Sequence, residues 1–266
     1  MVVIYFSGTG NTEYIAKRFA AKVGCKCFSI EDKADFVSEI QASGTIALAY
    51  PIYSSRAPRI MREFAKRHAS NLCGKKLVIF VTQMMFSGDG ARSFTDLFKR
   101  GHVDVIYAEH FQMPNNVCNF SILKPSRSTI RKCVIHAEAK LERAYREIRS
   151  GTIRRKGFNK TSRFLGLFQS VPWLAGIEHV LRRDIRISKH CTSCELCTKI
   201  CPIGNLRMRR GKIVHKNNCT VCYRCVNRCP SRAITVMFHW KPPWQYNPII
   251  SRHSPLASSR ACPGIP

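Results

Sequence analysis

The sequence predicts an α/β chain in two parts: a doubly wound, five-stranded parallel sheet, then a small α+β domain. Three observations predict it. Over residues 1–150, nearly continuous apolar runs alternate with helix-length amphipathic segments, the pattern of parallel strands covered on both faces. Over residues 191–230, two runs of four cysteines recur with one spacing. Composition also shifts: residues 1–150 carry 23 basic and 13 acidic side chains, against 21 and 3 in residues 151–266. That shift sets a boundary near residue 150.

The elements follow in order. Strand-like runs occupy residues 2–6, 45–50, 77–82 and 103–107, with a weaker one at 27–30. Helix-length segments fill 11–23, 34–41, 58–70 and 90–100. From Ser126 to Arg149, Ile130, Val134, Ala137, Leu141, Ala144 and Ile148 recur three or four apart, one apolar face of a long helix. Residues 151–182 read as a basic connector with one or two short helices packed on a neighbour; an amphipathic helix on anionic lipid is the alternative. Residues 183–238 form the cysteine domain. Residues 239–266 are rich in proline and read as a poorly ordered tail.

The chain has 266 residues, 45% of them apolar, enough for two packed domains. Its 14 cysteines are too sparse for a small disulfide scaffold. The start, Met1-Val2-Val3-Ile4-Tyr5-Phe6, lacks the basic segment of a secretory signal. No apolar run is long enough for a membrane-spanning helix. The cysteines are therefore expected in a reducing cytoplasm, as metal ligands.

Residues 191–202 (CTSCELCTKICP) and 219–230 (CTVCYRCVNRCP) match at an offset of 28, and Leu206 and Met208 pair likewise with Ile234 and Val236 as strand residues. This is an internal duplication. Three cysteines two residues apart wrap one iron–sulfide cube, and the fourth, before proline, completes the other cube. One cluster takes Cys191, Cys194, Cys197 and Cys229; the second takes Cys219, Cys222, Cys225 and Cys201. Zinc is the alternative, but it favours two C-x-x-C pairs across a longer loop. Cys25, Cys27, Cys73, Cys118, Cys133 and Cys262 show no ligand spacing. Residues 183–238 resemble a bacterial two-cluster 4Fe–4S ferredoxin.

The first strand runs into Ser7-Gly8-Thr9-Gly10-Asn11-Thr12 and then a helix, an anion site of backbone N–H groups with the Ser7, Thr9 and Thr12 hydroxyls and the Asn11 amide as further donors. The loop has no lysine of a P-loop and no third glycine of a dinucleotide fingerprint. A plain tight turn at Gly8 and Gly10 is the alternative. The loop resembles the FMN-phosphate loop of flavodoxins. That resemblance implies two ring-binding loops, at residues 50–55 with Pro51 and a stacking Tyr53, and at residues 83–90 with Gly88, Asp89 and Gly90 close to the flavin. For Tyr53 core packing is the alternative, and for Gly88–Gly90 a turn capped by Asp89. Two departures stand out: Arg56 and Arg59 follow the first ring loop, and that loop lacks the glycine common in flavodoxins.

Together the two parts resemble single-chain fusions of a flavodoxin-like domain with a two-cluster ferredoxin, known from anaerobes. The resemblance implies FMN, two 4Fe–4S clusters and electron transfer linking one-electron and two-electron partners. A second reading is a reductase acting on its own substrate, with His68, His102, His110 or His136 as proton donor. A third, nucleic-acid binding, rests on the +28 charge alone, and no nucleic-acid module is visible. The expected partner is an acidic redox protein, with an anionic membrane surface next and no specific nucleic acid. Positive surroundings are expected to raise the potentials of both cofactors.

Overall fold

The computed structural model describes residues 1–53, 56–85, 88–98, 103–169, 178–247 and 249. Its first part runs β1 (Val2–Tyr5), α1 (Asn11–Val23), β2 (Lys26–Ser29), α2 (Phe36–Gln41), β3 (Thr45–Pro51), α3 (Arg59–Arg67), α4 (Ala69–Leu72), β4 (Lys76–Gln83), α5 (Gly90–Thr95), β5 (Asp104–Gln112) and α6 (Arg127–Arg149). Two more elements follow, β6 (Arg154–Arg155) and α7 (Lys160–Gln169). All strands pair in parallel in the order β2-β1-β3-β4-β5-β6. The order reverses at β1, and the crevice beyond the C-terminal ends of β1 and β3 is where such sheets bind ligands.

Strand alternation divides the core. Ile4, Ile46, Leu48, Tyr50, Ile79 and Val81 face Ile40 of α2, Met61 and Phe64 of α3 and Phe94 of α5. Val3, Ala47, Ala49, Val78 and Phe80 face Ile15 and Phe19 of α1 and Leu141 and Ala144 of α6. Both faces are buried, which is why the strands read as unbroken apolar runs.

The sheet has six strands, not five. Arg154 and Arg155 of the connector pair with Tyr107 and Ala108; Arg155 Nε donates to Val105 O at 2.5 Å and Arg154 forks onto Glu147. Two exposed arginines carry no strand signal, so side-chain bonds to β5 and α6 hold this edge. β5 also runs five residues past its apolar stretch, carrying Glu109 into the interior at 1% exposure. Arg143 (2.7 Å), Lys156 (3.3 Å) and Lys140 (3.5 Å) surround that carboxylate. Burial pushes its pKa up, but Lys140, Lys156, the His110 amide and Arg143 outweigh it and the net shift is downward. Its stabilising contribution is therefore complete above the unfolded value near ~4.3 and is lost as pH falls through the lowered folded value. Glu109→Gln is expected to cost about 1–3 kcal/mol in chemical denaturation at neutral pH, with the gap to wild type closing in acid.

The second part is built on its repeat. β7 (Ile185–Ile187) pairs antiparallel with β10 (Ile234–Val236), and β8 (Leu206–Arg209) with β9 (Lys212–His215). Short helices α8 (Leu196–Ile200) and α9 (Arg224–Arg228) stand 28 residues apart. Left-handed residues recur at the same offset: Ser193 with Val221, Glu195 with Tyr223, Gly204 with Arg232. The backbone is thus duplicated along with the cysteines.

The tail departs from expectation as far as it is described. Trp244, Tyr246 and Ile249 are buried, Trp240 and Trp244 donate to Asn119 O and Phe120 O, and Gln245 donates to Val226 O and Cys229 O. Residues 239–247 strap the cysteine domain to the first domain, because aromatic burial outweighs the proline content. Residues 250–266, Cys262 among them, lie outside the described residues.

Candidate functional site

A cavity of about 510 Å³ opens at the C-terminal ends of the strands. Ser7, Gly8, Thr9, Asn11 and Thr12 line it from the β1–α1 loop, Pro51, Ile52 and Tyr53 from the loop after β3, and Thr82 to Met84 from the end of β4. Residues 113–117, after β5, close another side. Cys219, Thr220, Val221, Tyr223 and Met237 of the cysteine domain complete the wall. Neither the 113–117 loop nor these cysteine-domain residues carry a sequence motif that points to this site.

The β1–α1 loop suits an anion. Gly10 precedes α1 with φ 99° and no side chain caps the helix, so the first-turn amides are left for a ligand. Ser7 Oγ accepts from Gly10 N (3.0 Å) and Thr9 Oγ1 from Asn116 Nδ2 (2.8 Å), which leaves each hydroxyl proton to donate. Thr12 Oγ1 shares a 2.7 Å bond with Thr82 Oγ1. Asn11 serves mainly as a brace, donating to Pro114 O and accepting from Tyr246 Oη. FMN meets matching features here. The volume lies in the range of ligand pockets, and the buried Tyr53 Oη and Thr220 Oγ1 lack protein partners.

Tyr53 lies on the seam between the domains. A Cβ at Gly8 would stand 2.7 Å from Tyr53 Oη and 2.6 Å from Cys222 O. The second ring loop is placed differently from expectation. A Cβ at Gly88 would meet Gly166 and Ser162 of α7, and one at Gly166 would meet the Asp89 carboxylate. Asp89 does not cap α5; it is buried and pairs with Arg92. Gly90 O accepts from Tyr50 Oη. Gly88 and Asp89 thus pack against the connector helix, and neither they nor Gly90 belong to the cavity lining, which receives Gln83 and Met84 instead. Residues 54, 55, 86, 87 and 102 lie outside the described residues. His68, His110 and His136 do not line the cavity; burial and Lys156 push His110 down to about 4.

The cysteines lie in two neighbourhoods. Cys201, Cys219, Cys222 and Cys225 line one small cavity. Burial and the neighbouring sulfurs of Cys229, Cys191 and Cys194 push the Cys197 thiol up to about 11. Amides of Asn205 and Ala233 donate to Cys201 and Cys229 at 3.2 and 3.3 Å, again 28 residues apart, and Val221 N donates to Cys219. Such bonds stabilise thiolate ligands. Among the described residues no three His, Cys, Asp or Glu converge as on a single ion. Cys118 is buried in this domain's core.

Arg224 joins the two sites. Its guanidinium donates to Ser7 O (2.7 Å), Gly8 O (3.0 Å) and Ile200 O (3.0 Å) and forks onto Glu31 at 2.6 and 2.7 Å. Burial opposes its charge, but Glu31 and the Cys222 sulfur outweigh that and the pKa is raised. Its place inside a repeated cysteine run disguised it in the sequence.

Residues 2–119 match the family model of the flavodoxin domain, and residues 190–234 match that of the 4Fe-4S dicluster domain. No curated protein matches the chain. Among solved structures, two-electron reduced Megasphaera elsdenii flavodoxin is 24% identical, with a TM-score of 0.38, over 53% of this chain and 99% of its own. A flavodoxin from the domain Archaea is 18% identical (TM-score 0.35) over 53% and 96% of the two chains. The Trp repressor binding protein of Bacillus subtilis is 13% identical (TM-score 0.40) over 53% and 95%. Among the described residues no helix is long and apolar enough to cross a membrane. The chain is a fusion of a flavodoxin-like domain with a 4Fe-4S dicluster domain, a combination suited to redox electron transfer.

Proposed function

We propose that this chain carries electrons between two 4Fe–4S clusters and FMN, linking one-electron and two-electron partners in a reducing cytoplasm. One observation carries the reading: Cys219, Thr220, Val221 and Tyr223, from the loop that would hold one cluster, line the same cavity as the phosphate loop and Tyr53. Bound FMN supplies one-electron and two-electron redox chemistry. The chain's own residues do the rest. The α1 amides and the Ser7 and Thr9 hydroxyls hold a phosphate, Tyr53 and Pro51 flank the ring, and Arg224 locks the loop to the cysteine domain. Anaerobic purification tests the reading. Flavin absorption with iron near eight per chain is expected, and iron near four or no bound flavin would overturn it.

Arg56, Arg59 and Arg62 all line the cavity. Arg59 pairs with Glu63 and Arg62 with Glu178; no ion pair joins Arg56 to a carboxylate among the described residues. A cation there favours the reduced, anionic flavin. Arg56→Gln is expected to lower the flavin midpoint potential by roughly 20–60 mV in spectroelectrochemistry; an unchanged potential would remove Arg56 from the tuning. The partner we propose is an acidic redox protein, with an anionic membrane surface as the second choice.

A further inference from the structure

The two cysteine loops face opposite surroundings. Cys219 and Cys222 are buried against the flavodoxin-like domain, whereas Cys194 is exposed. Ser193 Oγ donates to Gly211 O at 2.9 Å, tying the Cys191–Cys194 loop to the β8–β9 turn. That turn reads Arg209-Arg210-Gly211-Lys212, and all four residues are exposed. Between residues 185 and 217 stand eight basic side chains (at 186, 189, 199, 207, 209, 210, 212 and 216), all exposed, with Glu195 the one carboxylate. Among the described residues no ion pair joins any of the eight to a carboxylate.

We infer that the face made by the Cys191–Cys194 loop and the β8–β9 turn docks an acidic redox protein. The proposal rests on the electron-carrier reading above and adds which end of the cysteine domain meets the partner. Charge complementarity names the occupant: a field of unneutralised cations steers an anionic surface and orients it. The exposed Cys194 places the partner beside the outer ligand set, while the Cys219–Cys222 loop keeps the inner one at the flavin cavity. The stretch contains no Phe, Tyr or Trp, so it offers no platform for stacking bases. Leu196, at 38% exposure, is its one large exposed apolar residue among those described, too little for burial in a lipid interface. Arg210 adds a local sign. With φ 48° it occupies a left-handed hairpin position beside Gly211 at 74°, where Asn or Gly folds more easily.

The test uses the anaerobically reconstituted full chain and a plant-type acidic 2Fe–2S ferredoxin as probe, with binding measured by calorimetry across a salt series. The variant Arg209→Gln, Arg210→Asn, Lys212→Gln removes three charges, and Asn suits the turn. A control, Arg131→Gln, Lys132→Gln, Arg146→Gln, removes three exposed charges from α6. The turn variant is expected to weaken binding roughly tenfold or more at low salt and to flatten its salt dependence, with the control within about twofold of wild type. Equal binding by the turn variant, or an equal loss in the control, would overturn the docking face. So would tighter turn-dependent binding of phosphatidylserine vesicles or single-stranded RNA in the same buffer. Iron and flavin content, read on the same samples, separates the two failures. A fully loaded chain with an insensitive face sinks only this inference, and a chain without flavin or iron sinks the reading beneath it.

Discussion

Arg224→Met is expected to loosen the phosphate loop from the cysteine domain and to weaken FMN binding by about tenfold or more. Methionine keeps much of the stem but removes the donors to Ser7 O, Gly8 O and Ile200 O and both contacts to Glu31. The three carbonyls lose a charged donor, and among the described residues the Glu31 carboxylate is left with no other ion pair. Losing the charge-assisted bonds that this guanidinium gives to the loop carbonyls costs about 1.5–3 kcal/mol. Arg224→Lys separates charge from geometry: an ammonium can satisfy Glu31 or a carbonyl but cannot reproduce the planar fork, so it should recover only part of the loss. The readouts are the thermal midpoint, the flavin dissociation constant and iron content. Wild-type flavin affinity in Arg224→Met, with iron retained, would show that the loop is organised without the cysteine domain.

How much of this was legible in the sequence depends on which force sets each feature. Strand positions and α6 were readable because burial on both sheet faces or on one helix stripe writes a period into the residues themselves. The cysteine repeat was readable because ligand spacing is likewise written into the residues, and its offset extends to backbone torsions and sulfur–amide bonds. Features set by contacts between distant segments were not. Arg154 and Arg155 form a strand because Val105 and Glu147 bond their side chains, which no local propensity reveals. Gly88 looked like a flavin-loop glycine, yet its bare Cα admits the backbone of α7. The proline-rich composition predicts a loose tail, but over residues 239–247 Trp240, Trp244 and Tyr246 strap the domains. Within the cavity, the first-domain phosphate loop was visible, while Thr220 and Val221 reach it only through the docking of the two domains.

That docking can be tested at a single atom. Gly8→Ala is expected to force the phosphate loop and the Cys222 loop apart, lowering stability by about 1–3 kcal/mol and weakening flavin binding with it. The added methyl would lie 2.6 Å from the Cys222 backbone oxygen and 2.7 Å from Tyr53 Oη. The tyrosine can rotate, but the oxygen belongs to a loop anchored by two buried cysteines, so backbone must move. Gly8 does not occupy the left-handed region, unlike Gly10 at φ 99°, so alanine there carries no conformational strain and any loss reports the contact. Gly44→Ala is the matched control: its Cβ meets nothing within 4 Å, and fewer unfolded conformations should leave it neutral or slightly stabilised. If Gly8→Ala melts with Gly44→Ala and binds flavin as wild type does, the two loops do not touch in solution, and the cysteine domain cannot form a wall of the flavin cavity.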